Sequence, residues 1–117
     1  MPALPPYTPE TLSRAEADAL PGATVLEFGT NWCSICQGAT PAIAQALAPH
    51  LDPHLDAQAA TLRHLRVEDG PGRPLGRSYR VKLWPTLVML QDGREVARVV
   101  RPQGVAEVAQ ALGVLVT

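Results

Sequence analysis

The tightest constraint on this chain lies between residues 23 and 47. An apolar, β-branched run, Ala23-Thr-Val-Leu-Glu-Phe-Gly29, reads as a buried strand. After three intervening residues Cys33-Ser-Ile-Cys36 opens a helical pattern from about Ser34 to Leu47, with Ala42, Ile43, Ala46 and Leu47 on its inner side and Pro41 placed to kink it. Cys33 and Cys36 are the only cysteines in the chain. Cys33 therefore falls at a helix N-terminus, and Cys36, one turn inside, faces the same side.

The remaining segments extend this pattern. Thr8-Pro9-Glu10 reads as a helix start, with Leu12, Ala15, Ala19 and Leu20 near one face and Pro21-Gly22 as its stop. Residues 48–60 form a proline-punctuated connection, with room for one more helical turn. Leu62–Glu68 is a second strand, Gly70-Pro-Gly72 a turn and Pro74–Arg80 a short helix. Thr86–Leu90 and Glu95–Val100 flank Asp92-Gly93, a hairpin signal, and Val105–Leu112 is an amphipathic helix ended at Gly113. Helix, strand, helix, strand, helix, hairpin, helix is the order of an α/β fold: a mixed sheet with helices on both faces. At 117 residues and 46% hydrophobic, the chain fits a single domain over 1–117, with residues 1–7 expected as a flexible N-terminus.

Ten basic residues against eleven acidic, with no run of like charges, exclude the electrostatic footprint of a nucleic-acid binder. No stretch approaches the roughly 18 apolar residues that a membrane span requires. Residues 1–10 have neither a basic nor an apolar signal region, so a cytoplasmic location is expected.

Three chemistries compete for the cysteine pair. A structural zinc site needs four ligands, and only His50, His54 and His64 are available to join the sulfurs. His50 and His54 are four apart but lie in the proline-rich connection, and each lone histidine reads as a solvated side chain. Two inert buried thiols are the second reading. The third is a redox dithiol: the helix N-terminus lowers a thiol pKa, and a thiol one turn away can resolve the mixed disulfide formed by the first. The position of the pair favours this third reading.

Several stretches carry a family resemblance. Val25-Leu-Glu-Phe-Gly-Thr-Asn-Trp-Cys33 is similar to the second strand and active-site loop of the thioredoxin family. Pro41 falls where that family kinks its active-site helix, Trp84-Pro85-Thr86 resembles its cis-proline motif, and Asp92-Gly93 resembles its next hairpin turn. Together these cover most of residues 23–112. The resemblance implies a thioredoxin fold, its first strand not evident here, with the dithiol and Pro85 side by side. It implies a protein-disulfide reductase that needs no organic cofactor and no metal. Its partners would be disulfide-containing clients and a reductase or other dithiol donor, with neither nucleic acid nor membrane, and a monomer is expected.

By the same resemblance Cys33 is the attacking thiolate and Cys36 the resolving thiol. Glu27 matches the family's buried aspartate, the proton acceptor for the resolving cysteine; the alternative is a carboxylate pointing to solvent at a strand edge. Its change to Gln should slow reduction without unfolding the protein. Trp32 is either core packing or an apolar wall beside the sulfurs, and Trp84 and Pro85 are the expected substrate-binding backbone. Four features depart from the family. Ser34-Ile35 separates the cysteines; Gly29 stands where a tryptophan is common while Trp84 replaces a smaller aliphatic residue; Arg101-Pro102 stands where a glycine borders the substrate groove; and the connection from the active-site helix to the next strand is longer than usual, with the first strand not evident. Trp84 could supply in space the indole that Gly29 lacks. Two rival functions remain at this point: a non-catalytic interaction module of the same fold, and a soft-metal carrier using the two sulfurs.

Overall fold

In the computed structural model, which describes residues 4–50 and 62–115, four strands form one sheet in the order β2-β1-β3-β4. The strands are β1 (Ala23–Gly29), β2 (Leu62–Glu68), β3 (Thr86–Gln91) and β4 (Arg94–Val100). β2 runs parallel to β1, while β3 and β4 are antiparallel, with a register shift between Met89 and Leu90. Every residue of β1 is buried, as befits a central strand covered on both faces.

Alternation along β1 and β3 divides the core in two. Val25, Leu87 and Met89 face α2 (Ser34–Leu47) and α4 (Val105–Leu112), meeting Ile43, Leu47, Val108 and Leu112. Leu26, Phe28, Val88 and Leu90 face the other way, against Ala17 of α1 (Arg14–Asp18) and Leu75 of α3 (Pro74–Ser78). Glu27 shares the face of Val25, so its carboxylate points beneath α2. Pro41 lies within α2 and removes one backbone donor from its interior.

Two expectations for the N-terminal part are corrected. The first helix does not start at Thr8; it starts at Arg14, capped by Ser13 with Glu16 in a reciprocal capping box. Thr8 precedes a proline and is extended. It bridges Val67 in parallel, its N–H donating to the Arg66 carbonyl at 3.2 Å and its carbonyl accepting from Glu68 N–H at 2.7 Å. This single bridge lies on the edge of β2 where a further strand would lie. The second correction is that the flexible N-terminus expected over 1–7 does not extend to Tyr7, which is 5% exposed. Its N–H donates to Asn31 Oδ1 at 2.8 Å, and Asn31 Nδ2 donates back to its carbonyl at 2.9 Å. Of the connection over 48–60, Ala48–His50 is a short 3₁₀ turn; His54 lies outside the described residues.

Candidate active site

Where β1 ends, the chain turns through residues 30–32 and places Cys33, in extended geometry, as the N-cap of α2. Its Sγ accepts the Cys36 N–H at 3.2 Å, the bond that a serine or aspartate oxygen makes at an ordinary cap. Gln37 Nε2 donates to the Asn31 carbonyl at 2.9 Å, bracing the turn. The sulfur thus stands at the N-terminal end of α2 and takes up one of the backbone donors that the first turn leaves without a helical partner. Both cysteines are free thiols; Cys33 is 9% exposed and Cys36 1%.

The two sulfurs are not equivalent. Burial, followed by the hydrogen bond with Cys33, pushes the Cys36 thiol up to about 12, against the opposing hydrogen bonds of the Thr30 backbone and the Tyr7 hydroxyl. At neutral pH Cys36 therefore keeps its proton until something takes it.

Beneath α2 lies a charged cluster. Glu27 is fully buried, which removes the alternative of a solvent-facing carboxylate. It accepts a hydrogen bond from the Tyr7 hydroxyl, one from Arg66 NH2 at 2.8 Å, and contacts His64 Nε2 at 2.9 Å. Burial alone would raise its pKa. The His64 and Arg66 hydrogen bonds and the Arg66 charge outweigh that and hold it below the usual carboxylate value. His64 is not the solvated side chain expected of it: its side chain is 4% exposed. Arg66 also donates to Thr40 Oγ1 at 3.2 Å, and Thr40 donates to the Cys36 carbonyl at 2.8 Å, tying the cluster to the helix above.

Trp32 stands 73% exposed beside the sulfurs, so it is wall rather than core. Its ring meets Trp84 edge-on, with centroids 5.6 Å apart and an interplanar angle of 80°. Trp84 Nε1 donates to Asp69 Oδ2 at 2.8 Å, and the Trp84–Pro85 peptide is cis. Trp84 packs against Tyr7, Cys33 and Cys36, bringing its loop to the dithiol. It does not fill the space over Gly29. A Cβ there would lie 2.8 Å from both the Cys36 Sγ and the Tyr7 hydroxyl, so only glycine leaves room for both groups over β1. Among the described residues, no three His, Cys, Asp or Glu side chains converge as a metal site.

Sequence reasoning thus named Cys33, Cys36, Glu27, Trp32, Trp84 and Pro85, and the fold gathers all six at one end of β1. It missed Tyr7, His64, Arg66 and Asp69. For two of these a signal was present: His64 and Arg66 are two apart in β2, hence on one face, and the register sets Arg66 opposite Glu27.

The thioredoxin family model matches residues 16–113. Thioredoxin of Chlamydia pneumoniae is 35% identical over 81 residues, 68% of this chain and 69% of that protein. Thioredoxin of Chlamydia trachomatis serovar D is 35% identical over 80 residues, 66% of this chain and 67% of its own. Among solved structures, thioredoxin 2 from Pseudomonas aeruginosa PAO1 in its reduced form is 48% identical, with a TM-score of 0.77 over 92% of each chain. With a close dithiol at the helix N-terminus and these relatives, the chain belongs to the thioredoxin family, as a thiol–disulfide oxidoreductase that reduces protein disulfides.

Proposed function

We propose that Cys33 attacks and Cys36 resolves. The Cys33 thiolate attacks one sulfur of a client disulfide; the client S–S bond breaks, and its electron pair leaves on the second client sulfur, which takes a proton. Cys36, deprotonated, then attacks Cys33 Sγ. The mixed disulfide breaks, the first client sulfur leaves with its electron pair, and the Cys33–Cys36 disulfide forms. The client gains two electrons and two protons, and the protein loses them.

The observation that carries this assignment is the cap. Cys33 Sγ accepts the Cys36 N–H at 3.2 Å at the helix N-terminus, while Cys36 lies deeper and holds its proton to about 12. Trp32 and the Trp84–Pro85 backbone form the client-binding wall, and Glu27 is the proton acceptor beneath Cys36. Trp32, Ile35 and Leu83 are exposed apolar side chains. We read them as a transient docking face for clients on a monomer. Both cysteines belong to the redox pair, which suits a reducing compartment such as the cytoplasm, with a reductase or another dithiol protein as donor.

The test is a trap. Cys36→Ser should accumulate a mixed disulfide with a disulfide peptide, mapped to Cys33, while Cys33→Ser should accumulate none. Equilibration of the wild type in glutathione buffers should give a potential near about −270 mV, thioredoxin's reference value. A trapped adduct on Cys36 would reverse the assignment. A potential near about −120 mV would make the protein an oxidant instead.

A further inference from the structure

Glu27 spends its oxygens on Tyr7, His64 and Arg66; the Tyr7 hydroxyl and Cys36 Sγ both close over Gly29, and Tyr7 packs in one cluster with the two cysteines. A phenol can donate one hydrogen bond while accepting another. Here the O–H donates to Glu27 while Cys36 keeps its proton; once that proton has passed, the hydroxyl donates to the Cys36 thiolate instead, which favours the ionised sulfur. The ring is fixed on both sides. The Arg66 guanidinium carbon lies 4.0 Å from its centroid, and the Tyr7 backbone is clasped to Asn31 by two hydrogen bonds. No strand carries Tyr7, and it still packs with both cysteines.

We propose that the Tyr7 hydroxyl conducts the proton that leaves Cys36 in the resolving step, handing it to Glu27, so that the N-terminal segment is part of the reaction machinery. This rests on Cys36 being the resolving thiol. As Cys36 Sγ forms its bond to Cys33 Sγ, the Cys36 proton moves to the Tyr7 oxygen and the Tyr7 proton to Glu27 Oε2. The bond from Cys33 to the client sulfur breaks, and its electron pair leaves on that sulfur. Arg66 and His64 favour the carboxylate form of Glu27, so the proton does not stay. His64, hydrogen-bonded to the same carboxylate, lines a surface cleft with Pro5, Thr8 and Glu10, the route by which the proton reaches solvent. The titratable or charged groups around the path are Cys33 from α2, Glu27 from β1, and His64 and Arg66 from β2.

Tyr7→Phe is the clean perturbation, since it keeps the ring over Arg66 and the backbone clasp. Resolution of a preformed mixed disulfide on Cys33 is followed in single turnover across pH. The variant is expected to resolve about tenfold more slowly near neutral pH, the cost of one hydrogen bond to a charged group, and to approach the wild-type rate in alkali. Its rate of Cys33 alkylation should be unchanged. In a Cys33→Ser background, thiolate absorbance should show Cys36 titrating higher once Tyr7→Phe is added than with the native tyrosine in place.

Identical pH profiles, or an unchanged Cys36 titration, would overturn the relay and leave Tyr7 as packing. Wild-type rates for Tyr7→Phe combined with a Cys36→Ser trap that still holds would sink the relay alone. A trap that fails to hold would sink the assignment of Cys36 instead. Should Tyr7→Phe fail to fold, a fluorinated tyrosine at position 7, which keeps the ring and changes the acidity of its hydroxyl, reads the same path, and an unchanged resolving rate would overturn the relay.

Discussion

Arg101 folds back from the end of β4 and donates its Nε to the Trp84 carbonyl at 2.9 Å. Its backbone N–H donates to the Pro85 carbonyl, also at 2.9 Å, and its φ of +49° lies in the left-handed region. One residue thus covers two carbonyls of the proline loop. A client segment that pairs with the backbone of Trp84 must first displace the guanidinium.

Arg101→Gly should therefore improve client binding. Glycine adopts positive φ without steric cost, and the Trp84 carbonyl becomes free. One recovered hydrogen bond of about 1 kcal/mol corresponds to a several-fold lower KM. The sulfurs are untouched, so kcat should hold. Steady-state reduction of a disulfide peptide decides it: a higher KM would mean that the guanidinium itself holds the client.

Glu27 is expected to matter for stability as much as for chemistry. Sequence reasoning expected Glu27→Gln to spare the fold. The buried pair argues for the opposite outcome, because neutralising Glu27 leaves the Arg66 guanidinium, its side chain 6% exposed, without a counter-charge. Removing one partner of a buried pair costs roughly 3–5 kcal/mol, which corresponds to a Tm lower by about 10–20 °C in a domain of this size.

The pH dependence has a defined sign. The folded pKa of Glu27 is depressed, so its contribution is fully present above the unfolded carboxylate value, about 4.3, and is lost as pH falls through the folded value. Wild type should lose stability on that acid limb, and Glu27→Gln should lack that portion of the loss. Thermal unfolding between neutral and acid pH measures both curves. Parallel curves would mean that Glu27 does not titrate differently on folding.

What was legible from sequence was local. The buried strand, the cysteine pair, Pro41, the hairpin at Asp92-Gly93 and the cis-proline motif are each coded within a few adjacent residues. What was not legible depends on register and on the N-terminal segment. Nothing local in Leu4-Pro-Pro-Tyr7 says that it folds back onto Asn31, and Thr8-Pro9-Glu10 looks like a helix start until the Ser13–Glu16 capping box is seen to outcompete it. His64 is solvated in isolation. It is buried only because the parallel pairing of β2 with β1 sets His64 opposite Val25, next to Glu27 on one face. Gly29 likewise reads as a missing indole until Tyr7 is found above it.

Gly76 should prove intolerant for a reason outside its own helix. A Cβ at Gly76 would overlap the Asp69 carboxylate, which accepts the Trp84 indole N–H at 2.8 Å. Gly76→Ala must push Asp69 aside and release Trp84, although alanine is the better helix former by about 1 kcal/mol. The expected result is altered tryptophan fluorescence and a several-fold higher KM, on the scale of one lost hydrogen bond. Asp69→Asn, which keeps an acceptor, should be milder. Equal effects of the two variants would remove Asp69 as the link.

The charge beside the site predicts which clients are reduced fastest. A cleft of about 700 Å³ borders Trp84 and is lined by Arg73, Arg77, Arg80 and Lys82. Arg73 pairs with Glu68 at 3.4 Å, but Arg77, Arg80 and Lys82 are exposed and have no ion pair among the described residues. Arg80 holds a left-handed φ of +58°, a geometry that favours glycine. The chain as a whole carries a net charge of −1, so this concentration of positive charge is local. Exposed charges act mainly on encounter rate and are screened by salt, with a Debye length near 8 Å at physiological ionic strength. Disulfide peptides with acidic flanks should therefore show a higher kcat/KM than neutral ones at low salt, and the gap should close as salt rises. Replacing Arg77, Arg80 and Lys82 together with Gln should abolish the gap while leaving the rate on the neutral peptide unchanged. A gap that survives both salt and the triple substitution would place the selectivity elsewhere, with Arg101 the next cation to test.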